Sequence, residues 1–124
     1  MVTVLIISGD KALWEFYAEY FAPIGITVVS IPAWKDAIDY LETAQTPALI
    51  LLEMRLPDGS GQPVIGYLRT FPQYEKMQVV ILTDERASIP SRPRLGIEHI
   101  LYKPAVLSEL GEYMTNLLTA VQHA

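Results

Sequence analysis

Polar residues able to carry chemistry stand where apolar runs stop. Val4 to Ile7 ends at Ser8-Gly9-Asp10, Ala48 to Leu52 runs into Glu53, Met77 to Leu82 ends in Thr83 and then Asp84, and Glu98 to Tyr102 ends in Lys103-Pro104. A carboxylate, a hydroxyl and an ammonium brought to one crevice would make a reactive or binding site, whereas each alone would be ordinary. Other candidates are weaker. Gly59-Ser60-Gly61 lacks the spacing and the Lys-Ser/Thr ending of a phosphate cradle and reads, with Asp58, as a loop. His99 and His123 have no partner at metal-ligand spacing. Trp14 and Trp34 have no interleaved basic residues and read as helix-surface packing, not as nucleobase platforms.

Whether those run-ends meet depends on the elements that carry them. Short β-branched apolar runs alternate with longer amphipathic ones, the pattern of βα units on a parallel sheet. Strands are expected over Val2–Ile7, Ile26–Ile31, Ala48–Leu52, Met77–Leu82 and Glu98–Tyr102. Helices are expected over Lys11–Phe21, Pro32–Thr43 and Pro63–Phe71, where apolar residues recur every three or four positions, and from Leu107 to Val121. Residues 84–97 hold Pro90, Pro93 and Gly96, so a loop with at most a turn or two of helix is expected there. Five such units predict a three-layer α/β fold, a doubly wound parallel sheet with ligands at the carboxyl ends of its strands. All the polar run-ends would then lie along one edge.

Composition narrows the class. The chain has 124 residues, 51% of them hydrophobic and 19% charged, which suits one packed domain spanning residues 1–124. With 14 acidic against 9 basic side chains and a net charge of −5, there is no cationic excess for a phosphate backbone, so direct nucleic-acid binding is disfavoured. The absence of cysteine excludes disulfides, thiolate metal sites and thiol nucleophiles. No apolar stretch approaches a membrane span and no basic region precedes the first apolar run, so the expectation is a soluble cytoplasmic protein.

Over essentially its whole length the sequence resembles the receiver domain of response regulators in two-component signalling. The run Leu51-Leu52-Glu53-Met54-Arg55-Leu56-Pro57-Asp58-Gly59-Ser60-Gly61 looks like the family's phosphoacceptor segment with Glu53 where the family has aspartate. Val79 to Thr83 matches the strand ending in the family's hydroxyl residue, and Lys103-Pro104 matches its Lys-Pro pair. The resemblance implies a flavodoxin-like sheet of strand order 2-1-3-4-5. It also implies a site where an aspartate takes a phosphoryl group, an acidic pair holds Mg²⁺, and threonine and lysine steady the phosphoryl oxygens.

The departures fall on that site. The acidic pair corresponds to Ser8 and Gly9, neither ionisable; Asp10 lies one step later and could serve instead as a turn or helix-capping residue. Glu53 sets its carboxylate one methylene further out, about 1.5 Å by ordinary bond lengths, against in-line transfer and within reach of Lys103. Asp84, where the family usually has a small residue, would repel an incoming phosphate. The family's aromatic switch position is Ile100, and the 84–97 segment replaces the fourth helix, expected here to be shortened or irregular.

The expectation is therefore a degenerate receiver domain, a pseudo-receiver. It would be no enzyme, would have no cofactor or at most weak Mg²⁺, and would act through protein contacts. The resemblance implies a histidine kinase or an output domain or protein as partner, no membrane, and room for a homodimer. Two rivals stand beside it: a phosphoacceptor using Glu53 or Asp10 with a weak Mg²⁺ site, and a small-ligand binder of flavodoxin-like shape.

Overall fold

The computed structural model describes residues 2–43, 46–84 and 98–123. Five parallel strands, β1 (Thr3–Ile7), β2 (Thr27–Ile31), β3 (Leu49–Glu53), β4 (Gln78–Thr83) and β5 (Glu98–Tyr102), lie in the order β2-β1-β3-β4-β5. Among the described residues the α-helices are α1 (Lys11–Phe21), α2 (Trp34–Thr43), α3 (Gln62–Thr70) and α4 (Leu107–His123). The fold class and strand order expected from the sequence are those found. The expectation for the 84–97 segment falls, from residue 85 onward, outside the described residues.

Strand boundaries differ from the apolar runs by a residue. Val2, Ile26, Ala48 and Met77 precede the ladders, and Glu53 and Thr83 belong to them as last residues. The larger correction is at 55–60, expected to be loop from Asp58 onward. Arg55–Leu56 and Gly59–Ser60 pair antiparallel as a small hairpin, closed by the bond from Gly61 N to Met54 O at 2.9 Å. Gly59 makes that turn at φ 132°, a conformation other residues rarely adopt.

Alternation along the strands sorts the core into two sides. Leu5, Ile7, Ile50, Leu52, Val79 and Ile81 face α2 and α3. Val4, Ile6, Leu49, Leu51, Val80 and Leu82 face α1 and α4. Because both faces of the central strands are covered, β3 is buried along its whole length, as its unbroken apolar run requires.

The α1–α4 side is packed with aromatic rings. Phe16, Tyr17, Tyr20 and Phe21 form a row of rings with centroids 5.0 to 6.1 Å apart. Tyr17 donates its hydroxyl to Leu107 O at 2.8 Å, which ties the start of α4 to α1. No helix among the described residues is long and apolar enough to cross a membrane.

Candidate functional site

Continued one residue beyond the strand ends, the same alternation decides which polar groups meet. Ser8 has the parity of Val4 and Ile6, Glu53 that of Leu49 and Leu51, and Lys103 that of Leu101, so all three point to the α1–α4 side. Thr83 has the parity of Val79 and Ile81 and lies on the other side, as does Ile100, which packs among the α2–α3 core.

Glu53 is the centre. Its carboxylate is buried, 5% exposed, at the end of the central strand. Oε2 accepts from Lys103 Nζ at 2.5 Å, and Oε1 accepts from the hydroxyl of Ser8. Ser8 is fully buried and its Oγ in turn accepts from Asp10 N at 3.0 Å. Lys103 is placed by its own backbone: its N–H donates to Thr83 O at 2.8 Å, and the Lys103-Pro104 bond is cis. The lysine stem lies along the cleft while 38% of the side chain stays exposed. A charge taken out of water at Glu53 is thereby matched by a cation and a hydroxyl, the condition under which a buried carboxylate is tolerated.

The Asp10 side chain does not join this group. It is the N-cap of α1, and its Oδ1 accepts from Ala12 N at 3.0 Å and Leu13 N at 3.3 Å, satisfying backbone donors that the helix cannot. Gly9 packs against Pro57: a Cβ built there would lie 2.8 Å from Pro57 Cγ. Asp84, expected as a repelling anion, lies 3.6 Å from Arg55 Nη2, and both side chains are more than half exposed, so its charge is partly offset. Thr83 is buried and lines a cleft of about 370 Å³ with Arg55, Ser60, Gln62 and Asp84. A second cleft, of about 460 Å³, carries Asp10, Glu53, Asp84 and Lys103 over an apolar floor of Leu13, Leu82, Ala105 and Leu107.

Sequence reasoning missed two supporting groups. Trp14 is not only surface packing, for its indole N–H donates to Ser8 O at 2.5 Å and holds the β1–α1 turn. Asp58 accepts from Trp34 N at 3.0 Å and Lys35 N at 3.4 Å, while Trp34 Nε1 donates to Asp58 O at 3.1 Å, so the hairpin is tied to the start of α2. Nothing in the spacing announced either, since Trp14 reaches a backbone carbonyl and Trp34 and Asp58 lie in different elements. His99 is held by two side chains: Gln78 Oε1 lies 3.1 Å from Nε2 and Tyr113 OH 2.9 Å from Nδ1.

Residues 4–115 match the family described as response regulator receiver domain. The chain belongs to that family. It is 26% identical over 101 residues to the Regulator of RpoS of Escherichia coli, an alignment covering 82% of this chain and 30% of that protein. It is 28% identical over 114 residues to the regulatory protein LuxO of Vibrio vulnificus, covering 90% of this chain and 24% of that one. The chain thus spans about a third or less of these relatives. Among solved structures, the signal receiver domain of a signal transduction histidine kinase from Syntrophus aciditrophicus superposes with a TM-score of 0.81 at 18% identity, covering 100% of this chain and 95% of the other. A two-component response regulator from Clostridium difficile gives 0.75 at 25% identity, covering 96% and 97%. The receiver-domain resemblance read from the sequence is thus the family found.

Proposed function

We propose that this receiver domain works without a phosphoryl group at Glu53, as a signalling interaction module in which the carboxylate itself supplies the charge that holds Lys103. One observation carries the reading: both oxygens of Glu53 are engaged, one by the Ser8 hydroxyl and the other by the Lys103 ammonium. A carboxylate attacks phosphorus through a free lone pair aligned with the leaving group. Here attack by either oxygen would disturb a hydrogen bond or an ion pair in a buried setting, where unmet polar groups are costly. The extra methylene, unfavourable for in-line placement, carries the carboxylate out to where it meets the ammonium.

The reading assigns no catalytic residue, and it makes partners of proteins. In two-component signalling, those of fitting chemistry are a histidine kinase or an output domain or protein. The test is intact mass after incubation with a small acyl phosphate and Mg²⁺. The expected result is no adduct on the wild type or on Glu53→Gln. A base-labile phosphoryl adduct on the wild type that is lost in Glu53→Gln overturns the reading in favour of a working acceptor; one that persists in Glu53→Gln and is lost in Asp10→Asn moves the acceptor to Asp10.

A further inference from the structure

We infer that Ser8 takes the place of a cation in this cleft: its hydroxyl closes the site to Mg²⁺ and fixes the β1–α1 turn directly on Glu53. The inference rests on the reading of Glu53 as a standing charge and adds what keeps that charge from a metal.

Mg²⁺ requires near-octahedral oxygen ligands, keeps several waters among them, and is anchored by one or two carboxylates that are free to face it. Each carboxylate at the cleft has another engagement. Asp10 Oδ1 accepts from two backbone N–H groups at the start of α1. Asp84 is paired with Arg55. Glu53 has Ser8 on one oxygen and Lys103 on the other, and an ammonium 2.5 Å from that oxygen repels a second cation placed beside it. Among the described residues, no three His, Cys, Asp or Glu side chains are grouped to hold a metal.

The neutral donors are engaged in the same way. Ser8 donates its hydrogen to Glu53 and accepts from Asp10 N, which leaves the hydroxyl one lone pair. The Ser8 carbonyl accepts from the indole of Trp14 at 2.5 Å. At Gly9 no side chain could supply a ligand while Pro57 stays in place, since any Cβ would meet that ring at 2.8 to 2.9 Å. The residues present do not fit the ion. What they form is a relay of hydrogen bonds, from Asp10 N through Ser8 and Glu53 to Lys103, that links the start of α1 to the β5–α4 turn.

Ser8 is the member of this relay whose exchange should reopen the site. Ser8→Asp replaces the donor with a carboxylate that repels Glu53 unless a cation lies between them. Trp14 reports on it, because its indole N–H touches the Ser8 carbonyl, whereas the indole of Trp34 is tied to Asp58. The probe is Mn²⁺ alone, added to the ¹⁵N-labelled chain while both indole resonances are followed. In the wild type the two signals are expected to broaden equally. In Ser8→Asp the Trp14 signal is expected to broaden selectively, at a Mn²⁺ concentration roughly tenfold lower, the scale of one added charge-assisted contact.

Selective broadening of Trp14 in the wild type overturns the inference, as does a folded Ser8→Asp that responds no differently from the wild type. Should Ser8→Asp not fold, Ser8→Ala carries the test: it frees Glu53 Oε1, so Trp14 must respond to less Mn²⁺ than in the wild type, and an unchanged response counts against the inference. No phosphoryl donor is present, so a metal response and a phosphoryl adduct are separate failures.

Discussion

Lys103 Nζ lies 2.5 Å from Glu53 Oε2 although the two residues are fifty positions apart in the chain, and each reaches the meeting point from the end of a different strand. The pairing is lopsided, with Glu53 buried and Lys103 partly in water. Removing either partner should therefore cost differently. Lys103→Met leaves a buried carboxylate with the Ser8 hydroxyl as a neutral hydrogen-bond donor and no cation beside it, and should lower stability by about 2–3 kcal/mol, the buried-pair cost reduced for the lysine's exposure. Glu53→Gln leaves an ammonium that can turn to solvent and an amide that still accepts from Ser8, a loss of about 1 kcal/mol. Urea unfolding of the two variants at neutral pH checks the order; equal losses would contradict it.

Asp10 should behave as a cap. Asp10→Ala is expected to lose about 1 kcal/mol and Asp10→Ser much less, since serine also accepts from the first-turn N–H groups. Thermal melting of the three proteins decides the matter. A serine variant as unstable as the alanine one would show that the negative charge, and not the capping bond, is what counts at this position.

Two helical glycines should respond to alanine in opposite directions. Gly66 in α3 has no heavy atom within 4 Å of an added Cβ, so Gly66→Ala should gain about 0.5–1 kcal/mol from helix propensity alone. At Gly111 in α4 the Cβ would fall 2.8 Å from Tyr20 Cζ, and that ring is held between Phe16, Tyr17 and Phe21. Gly111→Ala should lose about 1 kcal/mol despite the propensity gain, because overpacking outweighs it. Denaturant midpoints give both signs at once.

Burial, and after it the neighbouring Tyr20, push the Tyr17 phenol above the ordinary tyrosine value of 10.0. A folded-state value raised above the unfolded one gives a stability contribution that is complete below pH 10 and lost as pH rises beyond it. Stability should thus fall on the alkaline side of about pH 10, and Tyr17→Phe should flatten that fall while sacrificing the bond to Leu107 O. Denaturant unfolding across the alkaline range reads it.

The sequence disclosed the sheet because each strand is an apolar run with a polar stop, and burial of both faces leaves little else such a run can be. It disclosed Glu53, Thr83 and Lys103 as one edge for the same reason. It did not disclose that Thr83 stands apart from Glu53, although strand parity carries that information once Glu53 and Thr83 are counted as strand residues instead of run-ends. Ser8 was read as a lost ligand, and its role as a donor needed the direction of a side chain 45 positions from its acceptor. The 55–60 hairpin was hidden because two-residue strands leave no periodicity.

The most direct measurement is the rate at which Lys103 is acylated by a small amine-reactive ester, read by peptide mass in the wild type and in Glu53→Gln. The side chain is exposed enough for reagent to reach it, so protection must come from the carboxylate. If Glu53 holds the ammonium as a standing ion pair, Lys103 reacts several-fold more slowly in the wild type than in the variant, while the other lysines react alike in both. Equal rates at Lys103 would contradict the standing pair and with it the proposal that the Glu53 carboxylate supplies the charge that holds Lys103.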